Sequence, residues 1–156
     1  MNVTICSFGN EDLSKLDSKK VMELLKYHAK DFVPKMIEHV HANPELPEFH
    51  NVFYDPEHGK AIVFTPISDN EQSWKMRDFA EVSAELTAKI KEYVRPGLGP
   101  YFDMAMKVRD TETGNAIIRI VNEVDWNTDE FLGKNMEVLM EVKKNNGFLE
   151  LVDITE

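Results

Sequence analysis

The sequence predicts an α+β fold: a helix pair and a small antiparallel β-hairpin sheet, followed by a mostly helical C-terminal half. Three observations predict it. Apolar residues recur at helical spacing from Val21 to Val40, interrupted once at Pro34. Two β-prone runs, Val52-Phe53-Tyr54 and Lys60 to Phe64, flank Asp55-Pro56-Glu57-His58-Gly59, a turn with Pro early and Gly late. Helical spacing then returns at Asp78.

In chain order, Val3, Ile5 and Phe8 alternate with polar positions and predict a short first strand ended by Gly9-Asn10. Asp17 or Ser18 can cap a helix whose face carries Val21, Leu24, Leu25 and His28. Pro34 fits only the first turn of a helix, so Asp31-Phe32-Val33 marks a break. Met36, Ile37 and Val40 form the buried face of the second helix, which Asn43-Pro44 stops. After the hairpin, Ser68 to Ser73 reads as a polar turn ending at Trp74.

Asp78 opens the strongest helix, with Phe79, Val82, Leu86, Ile90, Tyr93 and Val94 on one stripe through Arg95. Pro96-Gly97-Leu98-Gly99-Pro100 stops it. The chain reads as a single domain, 1–156, with a possible subdivision at 96–100 into a motif-bearing part, 1–95, and an acidic part, 101–156. Within 101–124, Phe102, Met104, Met106 and Val108 alternate like a strand, while Ile117, Ile120, Val121 and Val124 fit a helix face; the reading leans to helices. Asn127 or Thr128 starts a last helix carrying Leu132, Met136, Leu139 and Met140, and Phe148 to Ile154 reads as a closing strand.

With 156 residues, of which 42% are hydrophobic and 29% charged, the chain can bury a core without a metal or disulfide. The single Cys6 points to a reducing setting. No basic segment leading into an apolar run opens the chain, and no apolar stretch nears the ~20 residues of a membrane span. A host-cell cytoplasmic location without a membrane partner is the resulting expectation. The net charge is −10, and from Tyr101 to Glu156 twelve acidic residues face six basic ones. That balance disfavours direct nucleic-acid binding and suits a basic protein partner.

His41 to Asn51 packs two His, two Asn, two Glu and two Pro into eleven residues. The prolines deny it regular structure, so a specific turn must place its polar groups. The pattern His-x-Asn-x-x-x-Pro-Glu-x-His-Asn resembles the motif of a family of mostly uncharacterised proteins of giant DNA viruses, phages and prophages. Phe8-Gly9-Asn10-Glu11-Asp12-Leu13 is similar to that family's opening turn, and Trp74 stands where the family's hairpin ends in Trp. Met136 to Asn146 resembles, less specifically, its apolar helix running into paired Asn. Ala42 replaces a usual aromatic, and Phe49 replaces a usual Asn. In the family the domain often follows DNA-binding segments; none is legible here, which fits a freestanding adaptor. The motif residues are His41, Asn43, Pro47, Glu48, His50, Asn51 and Trp74.

Two uses of these residues compete. In the first, Asn43 and Asn51 satisfy backbone groups while His41 and His50 cap or pack the turn. In the second, His39, His41 and His50 hold a metal in a nuclease-like His/Asn site, although histidines two apart occupy different helix faces. Glu45 and Glu48 read as loop carboxylates, Cys6 as a buried strand thiol, and Gly97-Leu98-Gly99 as a helix stop rather than a phosphate loop. The expectation is a non-enzymatic viral or phage accessory protein, without a cofactor, that binds a protein through Glu123, Asp125, Asp129 and Glu130 and thereby inhibits a nucleic-acid-handling partner. The alternatives are the metal-dependent nuclease and a structural assembly component.

Overall fold

The computed structural model describes residues 5–68, 71–97, 122–145 and 154–155, together with Arg109, Glu112, Asn115 and Arg119. Helix α1 (Ser18–Tyr27) begins where the Asp17 carboxylate accepts the Lys19 N–H at 3.0 Å. Helix α2 (Phe32–His41) carries Pro34 in its first turn, where no N–H is required, and buries Phe32, Val33, Met36, Ile37 and Val40. His28 is exposed at the end of α1 rather than on its packed face.

Strands β1 (Val52–Asp55), β2 (Lys60–Ser68) and β3 (Glu71–Arg77) form an antiparallel meander, and β4 (Ile154–Thr155) joins β3 in parallel. The polar run before Trp74 is therefore not all turn. Glu71, Gln72 and Ser73 pair with Ser68, Pro66 and Thr65, extending the hairpin into a longer sheet. Their side chains are polar, but the ladder binds through the backbone, and the register shifts between Pro66 and Ser68, where proline has no N–H to give. The first strand expected at Val3 to Phe8 is not a strand over its described residues. Ile5 to Phe8 is tied by isolated bonds, Cys6 N to Glu48 O at 3.0 Å and Phe8 N to Phe64 O at 2.8 Å. Two unlike acceptors on two elements make no ladder.

β1 is an edge strand, yet all four of its residues are buried. The reason is helix α4 (Leu132–Asn145), which lies against β1 and also meets α2 and α3 (Phe79–Gly97). A strand covered on both faces reads as a continuous apolar run, as Val52-Phe53-Tyr54 does. Trp74 packs its ring between Phe53 and Phe64, at 5.4 and 5.2 Å between centroids, and Tyr54 meets Phe79 edge-on at 5.0 Å. Between helices, Asn135 Nδ2 donates to Ser83 Oγ at 2.9 Å, both residues being fully buried.

Asp78 caps α3 through the Glu81 N–H at 3.0 Å, and the helix runs on through Pro96 to Gly97. Leu98 to Pro100 and the alternation Phe102 to Val108 lie outside the described residues. Glu112, Asn115, Arg119, Asn122 and Glu123 are helical, in keeping with the helical reading of that stretch. Val124, Phe131, Leu139 and Val142 enter the same buried cluster as the N-terminal helices and the hairpin. Met140 does not, being 41% exposed, because Val142 and Leu139 take the inward stripe of α4. The closing strand is described only at Ile154 and Thr155, beside Trp74 and Lys75. Among the described residues, no helix is long and apolar enough to cross a membrane.

Candidate functional site

The two sequence blocks singled out, Phe8 to Leu13 and His41 to Asn51, meet in one buried network. Asn51 is its centre and has no exposed surface. Its Nδ2 donates to Glu11 Oε1 at 2.9 Å and to the Cys6 carbonyl at 3.2 Å. Both partners only accept, so the amide orientation is fixed. Asn51 Oδ1 then lies 3.0 Å from His41 Nδ1, which is also 2.9 Å from the Phe49 carbonyl. Two acceptors around one ring nitrogen require Nδ1 to carry the proton.

Glu11, 6% exposed, completes the network by accepting the Gly9 N–H on both carboxylate oxygens at 3.1 Å. Gly9 sits at φ +95°, a conformation that a side chain would strain. Burial pushes the His41 pKa below its ordinary 6.5, against the opposing pull of the Glu11 charge, so the ring is neutral near pH 7. Burial, reinforced by Glu11, also raises the Cys6 thiol above 9.0. Cys6 is half-buried and protonated, a poor nucleophile.

The other motif residues shape the loop. His50 Nε2 donates to the Asn43 carbonyl at 2.8 Å, and Asn43 Oδ1 accepts the Glu45 N–H at 2.9 Å. Pro47 opens a single 3-10 turn, Pro47–Phe49, that places Phe49 in the core. Glu48 lies 3.5 Å from Lys15. Trp74 belongs to the aromatic core and not to this network. His39 is half-buried, with Nε2 sealed from solvent and unpartnered among the described residues. The ligand atoms of His39, His41 and His50 do not converge within 4.8 Å of one another.

The hairpin turn does bring ligand atoms together. Asp55, Glu57 and His58 each offer one within 4.8 Å of the other two, a cluster able to hold a metal ion. Asp55 is buried; Glu57 and His58 are exposed. The turn builds this geometry locally: Asp55 Oδ1 accepts the Glu57 N–H at 3.0 Å, the Asp55 carbonyl accepts the Gly59 N–H at 2.9 Å, and Gly59 takes φ +65°. Asp55 Oδ2 lies 2.6 Å from His58 Nδ1. In the sequence these residues read only as a hairpin turn. The available signal was three ligand-type side chains within four positions of a Pro/Gly turn.

Of the acidic residues, Glu123, Asp129 and Glu130 are exposed and Asp125 is half-buried. The Asp125 and Glu130 carboxyls share a hydrogen bond that lowers the first pKa and raises the second. Compared with known protein families, curated proteins and solved structures, the chain matches none.

Proposed function

We propose that this protein binds one divalent cation on Asp55, Glu57 and His58, and that the cation supports metal-assisted hydrolysis of a phosphate ester, as in a nuclease. The observation that carries the reading is the convergence of one buried carboxylate, one exposed carboxylate and one imidazole at the hairpin turn. Two oxygens and one nitrogen suit Zn²⁺ or Mn²⁺, and three protein ligands leave positions for water and substrate. The metal takes the place of the proton between Asp55 Oδ2 and His58 Nδ1. Those atoms then part from 2.6 Å to the ~3.3 Å of a tetrahedral site. His58, with a side chain 49% exposed, has room to swing. A bound cation also offsets the repulsion between a −10 chain and a phosphate backbone.

Calorimetric titration with Zn²⁺ and with Mn²⁺ tests the reading. One saturable site is expected, with proton release, weakened at least tenfold by His58→Ala and by Glu57→Ala. Binding that ignores both substitutions overturns the site. Cleavage of single-stranded DNA that needs the added metal and disappears in His58→Ala supports the hydrolytic part; metal binding without cleavage removes it.

A second reading, a viral or phage accessory protein docking on a basic protein surface, is supported by the crowding of Asp125 and Glu130, flanked by exposed Glu123 and Asp129. It carries over the motif resemblance and the charge excess of the last third. Reversal of these four charges is expected to abolish a salt-sensitive complex captured from host extract. Complexes untouched by the reversal refute it.

A further inference from the structure

The motif network borders an open cleft through Glu11 and His41. The cleft, of about 320 Å³, runs between the Phe8–Leu13 segment and α3. Phe8, Val40, Leu86 and Ile90 give it apolar walls, and His41 is among its lining residues. The volume falls at the small end of the range typical of small-molecule pockets.

His41 is 4% exposed, and its Nδ1–H is committed to Phe49 O and Asn51 Oδ1. Nε2, on the far side of the ring, meets no hydrogen-bond partner among the described residues. Among the described residues three side-chain atoms are sealed and unpartnered, His39 Nε2, Thr65 Oγ1 and Asn135 Oδ1; His41 Nε2 is not one of them, which leaves it some solvent contact, and His41 is a lining residue of the cleft. With Nδ1 protonated and the ring neutral, Nε2 presents a lone pair and only accepts. Whatever fills the cleft must therefore donate.

The charges around the cleft select further. Arg77 is held by Glu81 and Glu85, and Lys89 Nζ donates to the Gly9 carbonyl at 2.8 Å. Arg77 and Lys89 line the cleft together with Glu11, Glu85 and Glu92, two cations against three anions, so a negatively charged ligand is disfavoured. The Phe8 ring, tilted 44° to the His41 ring with centroids 6.3 Å apart, supplies an aromatic wall.

We propose that this cleft binds a small neutral aromatic molecule that donates one N–H or O–H to His41 Nε2. The site is separate from the hairpin-turn cation cluster and stands without it. Four features specify it together: an unpaired acceptor on a buried ring that lines the cleft, a fixed tautomer behind that acceptor, apolar and aromatic walls, and a charge balance against anions. A ligand of the right shape without the donor leaves the acceptor stripped of water and unpaired, which is the stronger source of discrimination in such sites.

The experiment compares indole with 1-methylindole on the intact chain, following the histidine side-chain nitrogens by NMR. Indole is expected to saturate at millimolar concentration or below and to shift His41 Nε2. 1-Methylindole, which lacks the N–H, is expected to bind at least tenfold more weakly. Ala88→Trp, at the exposed edge of the cleft, is expected to remove indole binding at an unchanged thermal midpoint. Equal affinity for the two indoles, an unmoved Nε2 resonance, or no indole binding at millimolar concentration each overturns the proposal. The pair of ligands decides the question even where the Trp variant does not fold.

Discussion

Replacing Asn51 by Ala is expected to be among the most destabilising single changes in the chain. The side chain is wholly buried and its amide serves three partners: the Glu11 carboxylate, the Cys6 carbonyl and His41 Nδ1. Truncation removes a hydrogen bond to a buried charged group, worth about 2 kcal/mol, and leaves the Cys6 carbonyl short of its donor, worth about 1 kcal/mol. His41 Nδ1 retains the Phe49 carbonyl, so that loss is small. The vacated space adds less than 1 kcal/mol, because an amide is small and polar groups border it. The expected loss is about 3–4 kcal/mol, read from urea unfolding at pH 7 with the slope unchanged. Glu11→Gln keeps an acceptor for Gly9 but removes the charge that Asn51 serves. A double-mutant cycle between the two positions therefore carries a coupling of about 1–2 kcal/mol. An Asn51→Ala loss under 1 kcal/mol, or strict additivity with Glu11→Gln, refutes the view that this amide ties the N-terminal arm to the motif loop.

Three further outcomes follow from the same geometry. Burial holds the His41 and His39 pKa values below 6.5, so the unfolded chain takes up more protons than the folded one in the window beneath that value; stability is full above pH 6.5 and falls as the pH drops, and a urea midpoint that stays flat from pH 7 to pH 5 contradicts it. Gly59→Ala forces a side chain into φ +65°, where the nearest atom is Tyr54 Oη at an ordinary 3.9 Å, so the cost is backbone strain of about 1 kcal/mol, measured as a lower thermal midpoint. Phe49→Asn restores the residue usual in the family that the motif resembles, but removes a ring only 1% exposed; a loss of about 3 kcal/mol is expected in chemical denaturation, and a neutral result removes Phe49 from the core.

The fold was legible wherever one strong local rule acted. Asp17 and Asp78 are capping residues, Pro34 admits one position in a helix, and Pro56 with Gly59 fixes a turn; each element beginning at those signals stands where its residues place it. Legibility failed where backbone pairing decided and side chains were indifferent, as at Glu71 to Ser73, whose polar side chains conceal a strand held by its partner. It failed likewise for Met140, since Leu139 and Val142 take the buried stripe of α4 and the period alone leaves its phase open.

The motif taught a different lesson. Asn51 reads in the sequence as a residue that satisfies backbone groups of its turn, whereas its side chain serves Glu11, Cys6 and His41; Glu11 lies forty positions from Asn51, and no spacing rule reaches that far. The same tie bears on both candidate sites. By holding the His41 proton on Nδ1, Asn51 and Phe49 O leave Nε2 an acceptor in the neutral ring, the atom that the proposed cleft ligand is to meet. The hairpin turn instead gathers its three candidate ligands within four residues, so it forms wherever the turn forms. A substitution that loosens the network, Asn51→Ala above all, is thus expected to cost stability and cleft binding while leaving metal affinity at Asp55, Glu57 and His58 within about twofold in the folded fraction, because residues sharing no partner act additively.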